Sequence, residues 1–179
     1  MDPFMFIQFV LTGAIRSATP VLFTALGETV SEKAGIVNLG AEGSMLMGAC
    51  IGFIVTAQTG SGILGAAAGA LAGGLLSLLH AYLVINCRAN QLASGLTVMF
   101  FGLGLTGLIG RPYVSAQIVG FNVLPIPILS DIPFIGKIFF QHDALTYLGY
   151  LLIPAIWFFL CKTRWGLSLR AVGENRAAA

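Results

Sequence analysis

Charged residues are scarce in this sequence: they make up only 9% of its 179 positions, whereas 57% are hydrophobic. Soluble globular domains carry roughly 25% charged residues, so the composition excludes an ordinary soluble domain. The net charge of +2 is small and scattered, and no basic run contains interleaved aromatic residues. Nucleic-acid binding is therefore not indicated.

Cysteine and the common catalytic motifs are also scarce or missing. Cys50, Cys87 and Cys161 form no CxxC pair and no metal-ligand spacing, which favours thiols that only pack between helices. The sequence has no G-x-S-x-G, no H-E-x-x-H and no Walker lysine in a Gly-rich loop. We therefore expect no ATP hydrolysis by this chain, and neither a metal nor another cofactor.

Long apolar runs are what the sequence does contain. Each is about as long as the ~20 residues that a helix needs to cross a bilayer, and none alternates as the strands of a membrane barrel do. A signal peptide is not indicated at the first run, because Arg16 falls in its middle and no small-residue cleavage site precedes a polar domain. The predicted spans are 4–27, 41–59, 62–85, 92–110 and 144–161.

Lys and Arg set the expected orientation, since cytoplasmic loops hold the excess. Placing the C-terminal tail inside gathers most of these residues there and leaves only Arg111 and Lys137 outside. The outer segment 111–143 is then expected to form a partly embedded cap. Arg16 would cost ~2.5–3.5 kcal/mol at the centre of a span unless it faces the bundle or water, so an interfacial first helix stays open. The residues placed inside are Lys33, Arg88, Lys162, Arg164, Arg170 and Arg176.

Two stretches, "GSGILG" at 60–65 and "GLGLTG" at 102–107, match the dinucleotide fingerprint G-x-G-x-x-G. Neither has the strand before it, the helix after it and the acidic residue ~20 positions on that the fingerprint needs. Helix packing explains the glycines better, because a glycine every four residues leaves a groove for close backbone approach. The glycines with this spacing are Gly65, Gly69 and Gly73 in the third span and Gly48 and Gly52 in the second.

The polar stretch "SEKAGIVNLGAEG", residues 31–43, interrupts two apolar runs. Asn38 is placed to cap the second span, with Glu42 in its first turn, where the helix dipole favours a carboxylate. Irregular polar backbone is also what transporters place along a solute path, so Asn38 and Glu42 are candidate path residues. Arg16 and His80 join them as intramembrane ionisable groups, although one interhelical hydrogen bond is the simpler role for His80.

The tail "TRWGLSLRAVGENRAAA" has a helical pattern. Trp165, Leu169 and Val172 fall on one stripe that could lie on the bundle, and Arg170 and Glu174 face the other way, toward a partner. The alternative is an interfacial helix that only anchors the last span, helped by Trp165.

Three motifs, "AGIVNLGAEGSMLMGA", "ANQLASGLTV" and "TRWGLSLRAVGEN", resemble the permease subunits of bacterial ABC importers of the branched-chain amino acid and simple-sugar class, especially the nucleoside type. The resemblance implies a multi-pass permease of the bacterial inner membrane. Its implied partners are a second permease subunit, a cytoplasmic ATP-binding subunit and an external solute-binding protein. It places a coupling contact with the ATPase at Gly166, Leu167, Arg170, Ala171, Gly173, Glu174 and Asn175.

We therefore expect an all-α membrane protein, a polytopic bundle of about five transmembrane helices. Residues 1–179 would form one permease region, with a cytoplasmic coupling segment at 163–179. The resemblance implies further spans after Ala179 and a proline where this chain has Arg176, so a fragment is expected. Nucleoside import is the favoured function. A non-transporting assembly fragment, or a permease for simple sugars or branched-chain amino acids, is the alternative.

Overall fold

The computed structural model describes residues 3–127, 129–130 and 135–175. Five of its helices are long and apolar enough to cross a membrane, which confirms the all-α polytopic prediction. They match the predicted spans closely, except that the first helix continues to Lys33 instead of ending near Gly27. The five helices are α1 (Pro3–Lys33), α2 (Ala41–Thr59), α3 (Gly62–Ile85), α4 (Gln91–Gly110) and α6 (Ala144–Lys162).

The shorter elements lie in the segment 111–143, between α4 and α6, and after α6. A single 3-10 turn (Arg111–Tyr113) follows α4, and α5 (Ile135–Phe139) precedes α6. Two-residue strands, β1 (Leu124–Pro125) and β2 (Gln141–His142), pair antiparallel. Helix α7 (Arg164–Glu174) follows α6 after the single residue Thr163.

Polar residues at the span boundaries begin the helices as N-caps. The Ser61 hydroxyl accepts from the backbone of Leu64 at α3, and the Asn90 side chain accepts from two backbone N–H groups at α4. The Asp143 carboxylate accepts from the backbone N–H of Thr146 at 2.9 Å. Each cap satisfies a donor that has no partner inside its helix, so these residues fix where the apolar runs become helical.

Two compact units share the described chain. The described residues of Met1–Gly27 and Phe121–Gly166 form the first unit, and those of Glu28–Gly120 and Leu167–Ala179 form the second. In the first, the Thr19 hydroxyl lies 3.3 Å from the hydroxyl of Thr146, and Leu22 of α1 packs against Gly149 of α6. In the outer segment, the Tyr147 hydroxyl donates to the carbonyl of Leu124 at 2.9 Å, which ties β1 to α6. Partial embedding of this segment in the bilayer stays a prediction.

Glycines bring α2 and α3 together in the second unit. A Cβ built on Gly69 would lie 2.6 Å from the carbonyl oxygen of Gly48, and one on Gly65 would lie 2.6 Å from that of Gly52. One on Gly73 would lie 2.9 Å from the carbonyl of Ser44. The predicted glycine groove is therefore confirmed as the seam between the two helices.

The two G-x-G-x-x-G stretches also take structural roles. Gly60 ends α2 in the left-handed conformation, with a φ of 70°, which glycine adopts without penalty. Gly102 lies against the backbone of Gly43, where a Cβ would come within 2.7 Å of the carbonyl oxygen. Close contact of α4 with α2 thus explains Gly102.

Candidate functional site

The polar stretch 31–43 ends α1 with a tight turn and begins α2. Gly35 has a φ of 80°, and its N–H donates to the carbonyl of Glu32 at 2.9 Å. The N–H of Ile36 then donates to the carbonyl of Ser31 at 3.0 Å. These bonds close the end of α1 through main-chain atoms and a left-handed glycine. Residues 34–40, which connect α1 to α2, are called loop 34–40 below.

Two side chains from outside loop 34–40 hold its backbone. The Glu28 carboxylate, in the last turns of α1, accepts from the N–H of Asn38 at 2.8 Å. The Gln91 amide, in the first turn of α4, accepts from the N–H of Val37 at 3.0 Å and donates to the carbonyl of Gly35 at 3.3 Å. Hydrogen bonds to a charged group are the stronger kind, so Glu28 makes the stronger single bond. Together they fix three backbone groups of the loop.

Asn38 does not cap α2 in the predicted way. Gly40 occupies the N-cap position and, having no side chain, accepts no hydrogen bond from the first turn of α2. The Asn38 carbonyl oxygen, Oδ1, accepts instead from the N–H of Gly40 at 3.0 Å, an Asx turn that shapes the loop before the helix begins. The N-cap prediction for Asn38 was wrong, because the N-cap is Gly40, whose backbone fits so closely against α4 that a Cβ would meet the carbonyl of Gly95 at 3.1 Å.

Glu42 lies in the first turn of α2, as predicted, and it is exposed. No hydrogen bond or ion pair joins it to any residue that the structure describes, so a buried partner within those residues is not found. Glu28 and Glu42 thus differ in a way that the sequence does not show. The Glu28 carboxylate accepts a hydrogen bond from the backbone of Asn38, whereas the Glu42 carboxylate has no hydrogen-bond or ion-pair partner among the described residues.

His80 is almost completely buried, at 1% exposure, and makes an interhelical contact. Its Nδ1 lies 3.3 Å from the hydroxyl of Ser94 in α4, while its Nε2 has no partner among the described residues. One turn earlier in α3, the Ser77 hydroxyl donates to that of Ser44 in α2 at 3.1 Å. The interhelical bond predicted as the simpler role for His80 is therefore confirmed.

The four candidate path residues are not joined by any hydrogen bond. Asn38, Glu42 and His80 belong to the second unit, and Arg16 belongs to the first, where it is exposed on α1. The role of these residues in a solute path stays a prediction.

Helix α7 packs through glycines. Gly166 is buried, and a Cβ there would lie 2.7 Å from the Cα of Leu160 in α6 and closer still to the carbonyl of Phe159. At the other end of α7, a Cβ on Gly173 would clash with the carbonyl oxygen of Lys33 and would lie 3.0 Å from the backbone nitrogen of Gly35. Gly166 thus lies against α6 in the first unit, and Gly173 lies against the start of loop 34–40 in the second.

The predicted inward stripe of α7 was wrong. Trp165 is 80% exposed and Val172 is 40% exposed, whereas Leu169 and Arg170 are only partly exposed. The backbone of α7 makes close contacts at Gly166 and Gly173, and Trp165 and Val172 lie on its exposed side. Of the predicted coupling residues, Leu167, Ala171, Glu174 and Asn175 are exposed, and Gly166 and Gly173 face inward. Residues 176–179, the end of the predicted coupling segment, lie outside the described residues.

Loop 34–40, the start of α4 and the C-terminal half of α7 meet at one end of the second unit. The contacts are those of Gln91 with Val37 and of Gly173 with Gly35. This agrees with the expected orientation, which places these three segments on the same side. Glu28 and Gln91 were missed by the sequence analysis. Neither residue was among the candidate site residues, because their contacts with loop 34–40 appear only in the folded chain.

Five apolar spans with a glycine seam, an ordered polar loop and a docked terminal helix define a multi-pass α-helical membrane protein. The chain belongs to the family described as the branched-chain amino acid transport system, permease component, whose sequence pattern matches residues 10–179. The expected permease class is therefore confirmed.

Three relatives share the sequence over most of this chain. One, named as a glucose ABC transporter permease of Haloferax volcanii, is 42% identical over 92% of this chain and 51% of its own length. The nucleoside ABC transporter permease NupC of Lactococcus lactis is 39% identical, over 97% and 58% respectively. The guanosine ABC transporter permease NupQ of Bacillus subtilis is 37% identical, over 100% and 60%. The chain thus spans a little over half the length of these relatives, and no solved structure matches it.

Proposed function

We propose that this chain forms part of the solute path of an ATP-driven importer and that nucleosides are the solute. The family match over residues 10–179 carries the proposal, and two relatives named for nucleoside or guanosine transport support the solute class. The partners would be a cytoplasmic ATP-binding subunit, a second permease subunit and an external solute-binding protein.

The exposed face of α7 supports a contact with the ATP-binding subunit. It presents Trp165, Leu167 and Val172, at 80%, 62% and 40% exposure, next to Glu174 at the end of the helix. A short helix whose glycines dock it and whose bulky residues point away is suited to receive another subunit, because interface cores are rich in aromatic and aliphatic anchors. The inward glycines Gly166 and Gly173 would position this face.

Sugar import is the second candidate, favoured by the 42% identity to the protein named as a glucose permease. Uptake competition separates the two. In cells that express the full-length protein from its gene with its transport partners, we expect saturable uptake of labelled guanosine that deletion of the gene abolishes. Excess unlabelled nucleosides should compete, and glucose or leucine should not. Competition by glucose alone would assign the sugar function instead, and uptake unchanged by the deletion would contradict both.

Glu42 is the path candidate whose side chain is free to meet a solute or another subunit. We expect Glu42→Gln to leave the amount of folded complex unchanged, because an exposed carboxylate in the first turn contributes only ~0.3–1 kcal/mol through the helix dipole. We expect uptake to fall strongly, because the charge that faces the path is lost. The matched control is Glu32→Gln, at an exposed carboxylate near the end of α1. Wild-type uptake by the Glu42 variant would reduce this residue to a helix-dipole partner.

A further inference from the structure

Loop 34–40 contacts three separate helices, and each contact reaches its backbone. Glu28 of α1 binds the N–H of Asn38, and Gln91 of α4 binds both Val37 and Gly35. Gly173 of α7 lies against Gly35 with no side chain between the two backbones. A loop that served only as a connection would leave most of these groups to water.

We propose that loop 34–40 transmits movement of α7 to the start of α2, and that Glu28 and Gln91 are the positioning residues that make the loop move as one body. The inference rests on the proposed function, in which α7 meets the ATP-binding subunit. It adds a route by which nucleotide-driven movement of that subunit would reach the spans.

The contact at Gly173 is suited to transmit displacement. A Cβ on Gly35 would lie 3.1 Å from the Cα of Gly173, so backbone meets backbone and no flexible side chain can absorb a shift of α7. Packed backbone is nearly incompressible, because protein interiors have the density of organic crystals. A displaced α7 must therefore carry the loop with it or separate from it.

The far end of loop 34–40 is equally confined. Gly40, the N-cap of α2, fits against α4, where a Cβ would meet the carbonyl of Gly95 and the side chain of Val98 at 3.1 Å. Glu42 follows in the first turn of α2. A displacement of the loop would therefore appear directly at the beginning of α2, beside the free carboxylate.

Capping does not explain Glu28 and Gln91. The end of α1 is already closed by the main-chain bonds of Gly35 and Ile36, and the N–H of Gly40, the N-cap of α2, is bonded to Asn38 within the loop. Glu28 reaches instead to a residue ten positions away, and Gln91 to residues 54 and 56 positions away. Both side chains hold the middle of the loop, which neither helix end requires.

The first test measures solute imported per ATP hydrolysed, using the full-length protein assembled with its partners in vesicles. We expect Glu28→Ala to lower this ratio by about tenfold or more, the effect of losing one hydrogen bond to a charged group, with ATP hydrolysis retained. Glu28→Gln keeps an acceptor oxygen and should restore much of the ratio. Glu32→Ala, at the exposed carboxylate one turn later, is the control and should match the wild type.

Gln91→Glu gives an independent variant. It keeps the acceptor for Val37, removes the donor to Gly35, and places a carboxylate in the first turn of α4, where the helix dipole favours it. Helix α4 should therefore remain intact while the amount of solute imported per ATP hydrolysed falls. If Glu28→Ala assembles poorly, Gln91→Glu decides the question. A ratio equal to that of the wild type in Gln91→Glu and Glu28→Ala would overturn the proposal.

The second test does not depend on transport. Hydrogen–deuterium exchange of a peptide covering 34–40 reports whether α7 holds the loop. We expect Gly173→Val to accelerate exchange there, because the added side chain separates α7 from Gly35, whereas Ala171→Val on the exposed face should not. Unchanged exchange in Gly173→Val would overturn the proposal. The two tests can also disagree. If Gly173→Val accelerates exchange but the wild-type protein imports no solute, the contact between α7 and loop 34–40 stands and the proposed function is wrong.

Discussion

Replacing Gly69 by leucine is expected to break the packing of α2 on α3 and to lower the free energy of unfolding by about 3 kcal/mol or more, the upper range for overpacked sites. A Cβ at this position would lie 2.6 Å from the carbonyl oxygen of Gly48 and 3.4 Å from the Cα of Gly52. Both neighbours are backbone atoms, which cannot rotate away. The helices would have to separate, and no alternative rotamer relieves the clash.

Gly74, five residues further along α3, supplies the matched control. A Cβ there meets nothing within 4 Å, so Gly74→Leu should be neutral or slightly stabilising, since leucine has the higher helix propensity. The measurement is the melting temperature of the full-length protein in detergent, with Gly69→Ala as an intermediate step. Equal melting temperatures for the two leucine variants would show that α2 and α3 do not pack through Gly69.

Gly166→Val is expected to abolish uptake while leaving the protein inserted in the membrane. The added side chain would enter the backbone of Phe159 and Leu160, the last turns of α6. The turn between the two helices has little freedom to adjust. Thr163 alone connects them, and its hydroxyl both donates to the carbonyl of Phe159 at 2.5 Å and accepts from the N–H of Gly166 at 3.1 Å. Helix α7 must therefore leave its position.

Two measurements on the full-length protein check the Gly166 prediction. Recovery of the ATP-binding subunit with the purified permease should fall about tenfold, corresponding to a loss of ~1.4 kcal/mol of binding free energy or more. Uptake should fall with it. Ser168→Val, on the exposed face of α7, adds the same β-branched side chain without the clash. Normal recovery and uptake in Gly166→Val would contradict a positioning role for Gly166.

The spans were predictable because hydrophobic length is a direct physical requirement of the bilayer. Polar residues between the apolar runs act as N-caps of the helices that follow, namely Ser61, Asn90 and Asp143. The glycine seam was also predictable, because small residues at a four-residue spacing allow close approach wherever two helices pack. The end of α1 was not, because Glu28 and Glu32 look unfavourable at the negative end of a helix dipole.

The candidate site was less predictable, because its contacts join residues far apart in the chain. Glu28 offsets its unfavourable position with a hydrogen bond to Asn38, and only the folded loop shows that bond. The orientation of α7 was predicted from its bulky residues, which normally mark a buried face. Gly166 and Gly173 determine it instead, since they allow backbone contact that no larger residue permits.

The pairing of α1 with α6 bears on how the protein is made. Thr19 and Thr146 are 127 residues apart, whereas α2, α3 and α4 pack against helices close to them in the chain. At a synthesis rate of roughly 5–20 residues per second, α1 waits roughly 6–25 s for α6 to emerge from the ribosome. During that time Thr19 and Leu22 of α1 lack the contacts that they make with Thr146 and Gly149 of α6. The first unit can therefore form only after most of the described chain has been synthesised.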